Sequence, residues 1–277
     1  MQLNIVLFQD SGGKTIEYWI CGLPGGHPVL FMHGATPMPF SAGLVAEIER
    51  HNLCVYTILR PGYGQSTRIR YKNVYAYAAL LGGFIESLHI GCFDVMGLSA
   101  GSPYCYALAA AYPERVRKIS ICAGIPLANN RHIFRMNPLR DRVFFSLSRH
   151  IPAVVVGKFA VRTLESMERK KGWQPAVWGE DMDTVFEKYV RPNWPGFGWS
   201  THVQYRDWGF DVAKTSCEVH IYHSRTDEMI PLQIVCESAK LLPNSRVFIL
   251  DDENHASEKT LRVAVENIRE KTGYFGV

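Results

Sequence analysis

The stretch "DVMGLSAGSPY", residues 94–104, places Ser99 among small residues at the end of an apolar run. The apolar run predicts a strand, and the residues that follow have the apolar spacing of a helix. A strand that reverses into a helix within so few residues forces the residue at the turn into strained backbone geometry, where only small neighbours fit. Gly97 and Gly101 meet that requirement, and Pro103 suits the first turn of a helix. The stretch predicts a serine on a sharp strand-to-helix turn, with a plain loop as the alternative.

Short apolar runs alternate with helical periods through the first 125 residues. The segments "NIVLFQD" and "KTIEYWICG" flank the turn "SGG" and predict a hairpin. The runs that follow are "PVLFMHG", "LCVYTILRPG", "CFDVMGLS" and "KISICAG". Strands that are apolar on both faces belong to a parallel sheet covered by helices, which we predict over 41–52, 73–90 and 100–116. The pattern therefore predicts an α/β fold with a mostly parallel central sheet flanked by helices.

This alternation stops after Gly124. Residues 126–212 contain helical, aromatic-rich pieces with no clear strand, and then "CEVHIYHS", "SRVFILDD" and the helical "SEKTLRVAVENIREK" complete the chain. We expect residues 1–125 and 213–277 to form one α/β core, and residues 126–212 to be inserted as a helical cap or lid over the sheet edge. Trp178 and Trp194 are predicted to line the substrate pocket beneath this cap, the cap interior being the alternative place for them.

A nucleophilic serine needs a general base, and the base needs an acid to orient it. His255 follows the last predicted strand and Asp227 follows the strand before it, so both belong at the carboxyl edge of the sheet with Ser99. We predict that Ser99 is the catalytic nucleophile, that His255 is the general base and that Asp227 is the acid that orients His255. The competing histidines and carboxylates are His33, His202, His220, His223, Glu228, Asp251 and Asp252.

The segment "FMHGATPMPF", residues 31–40, follows the first long apolar strand and provides the remaining part of the predicted site. Its Gly34-Ala35 pair allows a backbone N–H to point outward. The amides of Ala35 and Ala100 are predicted to form an oxyanion hole, because two aligned donors stabilise the tetrahedral intermediate of acyl transfer. Thr36 is the alternative donor, and His33 is interpreted as a scaffold residue that hydrogen-bonds the neighbouring loops.

Composition excludes several classes of protein. The chain has 277 residues, 47% of them apolar, and a formal net charge of +4, with its basic residues scattered along the sequence. The longest basic cluster, "ERKKG" at 168–172, is interpreted as a solvated face, so no nucleic-acid partner is expected. Seven cysteines without a CxxC pair indicate reduced thiols in a cytoplasmic protein and no metal site. The beginning of the chain lacks the pattern of a signal peptide, and no apolar run reaches 18 residues, so no membrane partner is expected.

Five separated motifs, "HGATP", "RPGYGQS", "GLSAG", "HSRTDEMIP" and "ENHAS", occur in an order that resembles the α/β-hydrolase superfamily over nearly the whole chain. The resemblance implies the α/β-hydrolase fold with a GxSxG nucleophile elbow. The chain also departs from that pattern. Leu59 stands before "RPGYGQS" where the family often has an acidic residue, and Ser102-Pro103 follows the elbow where it often has a second glycine.

These motifs predict a serine hydrolase without cofactor, similar to esterases. The enzyme would act on a small ester, thioester, amide or C–C substrate through an acyl-enzyme on Ser99. Because the nucleophile is a serine, the aspartate-dependent dehalogenases and epoxide hydrolases of the same fold are disfavoured. Two alternatives stay open: a ligand-binding receptor of the same fold with vestigial hydrolysis, and a lyase or perhydrolase that uses the same residues.

Overall fold

The central feature of the protein is an eight-stranded sheet. The computed structural model describes residues 4–171, 182–251, 255 and 257–268. The strands are β1 (Asn4–Gln9), β2 (Thr15–Gly22), β3 (His27–Met32), β4 (Leu53–Ile58), β5 (Phe93–Leu98), β6 (Val116–Cys122), β7 (Glu218–Ser224) and β8 (Ser245–Leu250). They lie in the order β1-β2-β4-β3-β5-β6-β7-β8. The β1–β2 and β2–β4 pairs are antiparallel and the other five pairs are parallel. The predicted hairpin and mostly parallel sheet are therefore confirmed.

Eleven helices are described along the chain. They are α1 (Ala42–Arg50), α2 (Val74–Leu80), α3 (Gly82–Ser87), α4 (Ser102–Ala111), α5 (Arg131–Met136), α6 (Leu139–Ser148), α7 (Ala153–Lys171), α8 (Met182–Val185), α9 (Trp194–Gln204), α10 (Leu232–Ala239) and α11 (Glu258–Asn267). A π-helical turn, Phe186–Val190, and a 3₁₀ turn, Arg191–Asn193, connect α8 to α9.

The helix predicted over 73–90 is two helices, so that prediction is wrong in its extent. Asn73 caps the start of α2 by accepting a hydrogen bond from the amide of Ala76. The helix ends at Leu80, and α3 begins at Gly82, immediately before a second glycine. Two consecutive glycines cost about 1 kcal/mol each in a helix interior relative to alanine, which favours an interruption here.

Helices cover both faces of the sheet, as its buried strands require. On one face, α2, α3 and α4 bury side chains such as Phe84 and Leu108 in the larger core cluster. On the other, α1 and α11 bury Ile48 and Leu261 against β3, β4 and β5. Every residue of β5 is buried. Because both faces are covered, polar groups of the sheet are accessible chiefly at the ends of its strands, which is where functional side chains can lie.

Between β6 and β7 the elements that the structure describes are all helical or short helical turns. Helices α7 and α9 approach each other closely. A Cβ placed on Gly157 would lie 2.1 Å from the carbonyl oxygen of Trp194, and a Cβ on Gly198 would lie 2.0 Å from that of Ala153. Only glycine permits such an approach between backbones. The division into a core and a cap over 126–212 stays a prediction.

Candidate active site

Ser99 lies on a sharp turn between β5 and α4. Strand β5 ends at the preceding residue, and a 3₁₀ turn, Ser99–Gly101, leads into the helix. The backbone φ of Ser99 is +48°, in the left-handed region that non-glycine residues seldom adopt. A Cβ on Gly97 would lie 2.4 Å from Cys105 Sγ, and one on Gly101 would lie 2.0 Å from the carbonyl oxygen of Met32. The atoms that crowd these two glycines therefore belong mainly to β3 and α4. A side chain at either position would clash with them, so both positions require glycine.

The structure brings Ser99, His255 and Asp227 into one hydrogen-bonded chain. His255 Nε2 lies 2.8 Å from Ser99 Oγ, and His255 Nδ1 lies 2.8 Å from Asp227 Oδ2. Asp227 follows β7 and His255 follows β8, so all three residues lie beyond the carboxyl ends of parallel strands. Since an ionised carboxylate only accepts hydrogen bonds, Nδ1 carries the proton that is donated to Asp227, and Nε2 is free to accept the serine proton.

The Asp227 carboxylate is buried and fully supplied with donors. Its Oδ1 accepts hydrogen bonds from the amides of Met229 and Ile230, each at 2.9 Å. Burial by itself raises the pKa of Asp227, but the hydrogen bond and charge of His255, the Ile230 amide and nearby His223 outweigh it, so the pKa lies below its ordinary value. The group is therefore an anion in the neutral pH range, as the orientation of His255 requires.

The residues that compete with Asp227 and His255 for the roles of acid and base lie in other environments. Asp251 is exposed and pairs with Arg225 at 2.8 Å, and Glu228 is exposed. His223 donates to the carbonyl of Ile230 at 2.8 Å and lies 3.5 Å from Asp227 Oδ2, so it supports the loop that holds the carboxylate. Asp252 lies outside the described residues. His220 lies within β7, away from the strand end, and His202 lies within α9.

The loop after β3 lies directly against the turn of Ser99. A Cβ on Gly34 would lie 3.7 Å from Ser99 Cβ. In the part of the chain that the structure describes, the amides of Ala35 and Ala100 donate to no protein acceptor. The Ala35 carbonyl accepts a hydrogen bond from Tyr63 Oη at 2.9 Å, which fixes the orientation of that residue. Both amides are therefore uncommitted and belong to the two segments that meet at Ser99, while their role as an oxyanion hole stays a prediction.

Arg60, which we did not predict as a site residue, holds this loop by hydrogen bonds to its carbonyl groups. The side chain is fully buried and donates to the carbonyls of His33 and Gly34, the latter at 2.6 Å. Its guanidinium carbon lies 5.0 Å from the ring centre of Tyr63 and 4.8 Å from that of Tyr104. Arginine suits this position because its planar fork can donate to two neighbouring carbonyls at once. In the sequence, the one indication of this role was the position of Arg60 in the motif "RPGYGQS".

His33 has the scaffold contacts that the sequence predicted. Its Nδ1 lies 3.0 Å from the Gly34 carbonyl, and its Nε2 accepts a hydrogen bond from the Arg60 amide at 3.3 Å. Burial, with the charge of Arg60 as a second cause, holds the pKa of His33 well below its usual range. The imidazole is therefore neutral, with one nitrogen donating and the other accepting.

Glu17 of β2 supplies the carboxylate that is missing at Leu59. Its Oε2 accepts from the Gln65 amide at 2.6 Å, and its Oε1 accepts from the Trp19 indole at 2.8 Å. Ser66 Oγ completes the connection by accepting from the Glu17 amide and donating to the Leu59 carbonyl. The "RPGYGQS" turn is thus fixed by an acidic residue that lies far away in the sequence.

Helix α9 connects this site to the other helices between β6 and β7. Gln204 donates to the carbonyl of Ala100 at 2.7 Å, and Gly196 packs on the ring of Tyr63. Trp194 packs with Met38 against a small buried cluster that includes Val161. Trp178, the other predicted pocket residue, lies outside the described residues, and a pocket role for Trp194 stays a prediction.

Over the ranges given above, the protein contains no helix with the length and apolar character needed to cross a bilayer. In the same residues no three His, Cys, Asp or Glu side chains are grouped so that they could hold a metal ion. All seven cysteines are free thiols.

Two curated proteins and a solved structure are similar to this chain. "Uncharacterized hydrolase YcgS" of Bacillus subtilis is 31% identical over 114 residues, which is 41% of this chain and 39% of that protein. The 2-hydroxy-6-oxo-2,4-heptadienoate hydrolase of Pseudomonas putida is 23% identical over 88% of this chain and 87% of its own. An esterase from Exiguobacterium antarcticum superposes with a TM-score of 0.68 at 15% identity, over 96% of this chain and 99% of that one.

The family comparison covers most of the chain. The model that describes the alpha/beta hydrolase fold matches residues 22–257, a range that begins at the end of β2 and includes Ser99, Asp227 and His255. The superposition on the solved structure shows a shared fold. The chain therefore belongs to the α/β-hydrolase fold family.

Proposed function

We propose that this protein is a serine hydrolase that forms an acyl-enzyme on Ser99. The observation that carries the proposal is the hydrogen-bonded chain of Ser99 Oγ, His255 and the buried Asp227 carboxylate, with 2.8 Å at each step. A serine hydroxyl is a weak nucleophile until an adjacent base accepts its proton, and this arrangement provides the base and an anion that orients it.

In the first half of the proposed reaction, Ser99 Oγ attacks a carbonyl carbon while its proton passes to His255 Nε2. The carbonyl oxygen becomes an oxyanion and accepts hydrogen bonds from the amides of Ala35 and Ala100. Asp227 stabilises the imidazolium but keeps its own charge. Collapse of the intermediate expels the alcohol, thiol, amine or carbanion, which takes the proton from Nε2, and leaves the acyl group on Ser99.

In the second half, water replaces the leaving group. His255 Nε2 accepts a proton from the water as its oxygen attacks the acyl carbon, and the same two amides hold the second oxyanion. The bond from Ser99 Oγ to the acyl carbon then breaks, and Oγ recovers the proton from His255. A carboxylic acid is released and all three side chains return to their starting states.

The substrate class is proposed to be small esters, with the activated C–C bond of a ketone as the second candidate. The C–C candidate is supported by the relative from Pseudomonas putida, which is named for a 2-hydroxy-6-oxo-dienoate and matches 88% of this chain. Both classes present a carbonyl carbon to the serine, and they differ in whether an oxygen or a carbon leaves.

The helices of residues 126–212 are proposed to cover the site as a cap. The contacts that support this come from α9, whose Gln204 reaches the Ala100 carbonyl while its Gly198 packs against α7. Trp194 is the described aromatic we propose to test first, because it packs against the same buried cluster as Met38, which lies three residues after Ala35. In the Trp194→Ala variant, the ratio of activities on short and long acyl chains should change.

Turnover of p-nitrophenyl esters from acetate to octanoate tests the proposed function, with the dienoate of the relative's name as a parallel substrate. Ser99→Ala and His255→Ala should each lower kcat at least 10³-fold with the folded state intact. Ser166→Ala and His150→Ala are the matched controls, since both residues are exposed and lie outside the proposed site. They should retain full activity.

Three outcomes would contradict the proposal. The first is binding of both substrate classes without turnover, as expected of a receptor. The second is a product of elimination or perhydrolysis without the carboxylic acid. The third is activity that survives in Ser99→Ala at the level of Ser166→Ala.

A further inference from the structure

A cavity away from the serine carries an unusual concentration of arginines. It has a volume of about 650 Å³ and is lined by α5, α6 and the residues that follow α9. That volume is in the range of small-molecule sites. Neither Ser99 nor its partners Asp227 and His255 line it. The five arginines that do are Arg131, Arg135, Arg142, Arg149 and Arg206.

The five arginines outnumber the carboxylates in the lining. One carboxylate, Asp207, lines the cavity with them. Among the described residues none of the five arginines forms a salt bridge, whereas Arg140, which lies outside the lining, pairs with Asp141 at 3.0 Å. Like charges that face one cavity repel one another, and a bound anion removes that repulsion. Guanidinium groups are also the side chains best suited to carboxylate and phosphate oxygens.

Two buried polar atoms in the lining lack partners in the described chain. They are Arg149 Nε and Asn129 Oδ1. Arg149 is otherwise well fixed, because its carbonyl accepts from Arg206 at 2.7 Å and its guanidinium lies 5.5 Å from the ring of Phe134. Buried polar groups are ordinarily hydrogen-bonded, so an unpartnered donor held in place beside a cavity indicates a ligand or water there.

The same cavity has an apolar side. Leu139, Val143 and Leu147 recur every four residues along α6, so they form one stripe, and each is about half or more exposed. Tyr205 also lines the cavity and is held by a stacked contact with Phe145, with ring centres 3.6 Å apart. An inorganic anion would use the arginines alone and leave this stripe in water.

We propose that this cavity is a binding site for a small anionic amphiphile, with a phosphate or carboxylate head against the arginines and an apolar body along the α6 stripe. A concave site of this size favours one small molecule over a flat membrane or protein surface. The proposal does not depend on the reaction at Ser99, and the Ser99→Ala variant should bind the same ligand.

Titration calorimetry with octyl phosphate below its micelle concentration tests the site, with inorganic phosphate, 1-octanol and octyltrimethylammonium as comparisons. Octyl phosphate should bind more tightly than any of the three. Arg135→Gln combined with Arg142→Gln should weaken its binding about tenfold or more, because the double variant lacks two of the charged donors proposed to hold the head group. Leu147→Ser should weaken binding of octyl phosphate and leave that of inorganic phosphate unchanged.

Arg140→Gln is the matched control. Arg140 is exposed on α6, carries the same charge and does not line the cavity. It should bind octyl phosphate like the unchanged protein, and all variants should keep their circular dichroism and melting temperature. Equal weakening by Arg140→Gln, unchanged binding in the double variant, or association with phosphatidic acid vesicles without binding of octyl phosphate would each overturn the proposal.

Discussion

Replacing Asp227 by asparagine changes one heavy atom of the site and reverses the polarity of its hydrogen bond to His255. Oδ1 accepts from two backbone amides, so the asparagine oxygen must stay there and its NH₂ group must face His255 Nδ1. The asparagine NH₂ and the Nδ1–H of His255 are both donors, so they cannot hydrogen-bond to each other. The imidazole therefore takes the tautomer with its proton on Nε2, and it then donates to Ser99 Oγ where it should accept.

The size of the loss follows from the geometry. A carboxylate 2.8 Å from an imidazolium nitrogen contributes about 6 kcal/mol of attraction at an effective dielectric constant of about 20. Part of this is recovered by water and by the remaining dipoles. We therefore expect kcat/KM of Asp227→Asn to fall by about 10³- to 10⁴-fold, or about 4–5.5 kcal/mol of barrier. KM should change much less than kcat.

Initial rates on p-nitrophenyl esters measure this effect, and thermal unfolding checks that the variant is folded. Asp251→Asn is the matched control, because Asp251 is an exposed aspartate that pairs with Arg225 outside the site. Its activity should be unchanged. An Asp227→Asn variant that keeps a tenth or more of the activity would refute the reasoning on tautomers.

Three further predictions concern stability and positioning. Gly101→Ala places a Cβ 2.0 Å from a backbone oxygen and should lower the melting temperature strongly, whereas Gly91→Ala, with nothing within 4 Å, should not. Arg60→Lys keeps the charge but loses the fork that holds the Gly34 carbonyl, so kcat should fall about 10- to 100-fold on esters while KM changes little. Because the pKa of His33 is depressed in the folded protein, the unfolded state binds the extra proton, and stability should decline as the pH falls below about 6.5. Denaturant unfolding at pH 7 and pH 5 measures this decline in the free energy of unfolding. The decline should be smaller in His33→Gln than in the unchanged protein, by up to about 1.4 kcal/mol per pH unit.

The sheet and the order of its site residues could be predicted from the sequence because their signals are local. Apolar runs that end near glycine give the strands, and Ser99, Asp227 and His255 each follow such a run. Parallel strands bring their carboxyl ends to one edge, so the sequence order alone places the three residues together.

The supports of the site could not be predicted in the same way, because their partners are distant in sequence. Glu17 lies 48 residues from the Gln65 amide it accepts from, and Arg60 lies 26 residues from the Gly34 carbonyl. Nothing in "RPGYGQS" shows that β2 would supply the carboxylate absent at Leu59. Such pairings follow from strand register and loop packing, which only the folded chain defines.

The same limit applies to the arginine cavity. The basic residues are scattered along the sequence, and this led us to expect no nucleic-acid partner and gave no sign of an arginine cluster. Folding brings arginines from two helices and from the end of a third to one cavity, although Arg206 lies 57 residues from Arg149. Net charge and run length describe the chain before folding and carry no information on such convergence.

The most direct test of the central claim is the mass of the protein after reaction with an alkyl phosphonate ester bearing a p-nitrophenolate leaving group. We expect the addition of one phosphonyl group, carried by the peptide that contains "GLSAGS" and absent in Ser99→Ala. His255→Ala should be labelled far more slowly. A label on Ser102 or Cys105, or a protein that stays unlabelled while fully folded, would contradict the assignment of Ser99 as the nucleophile.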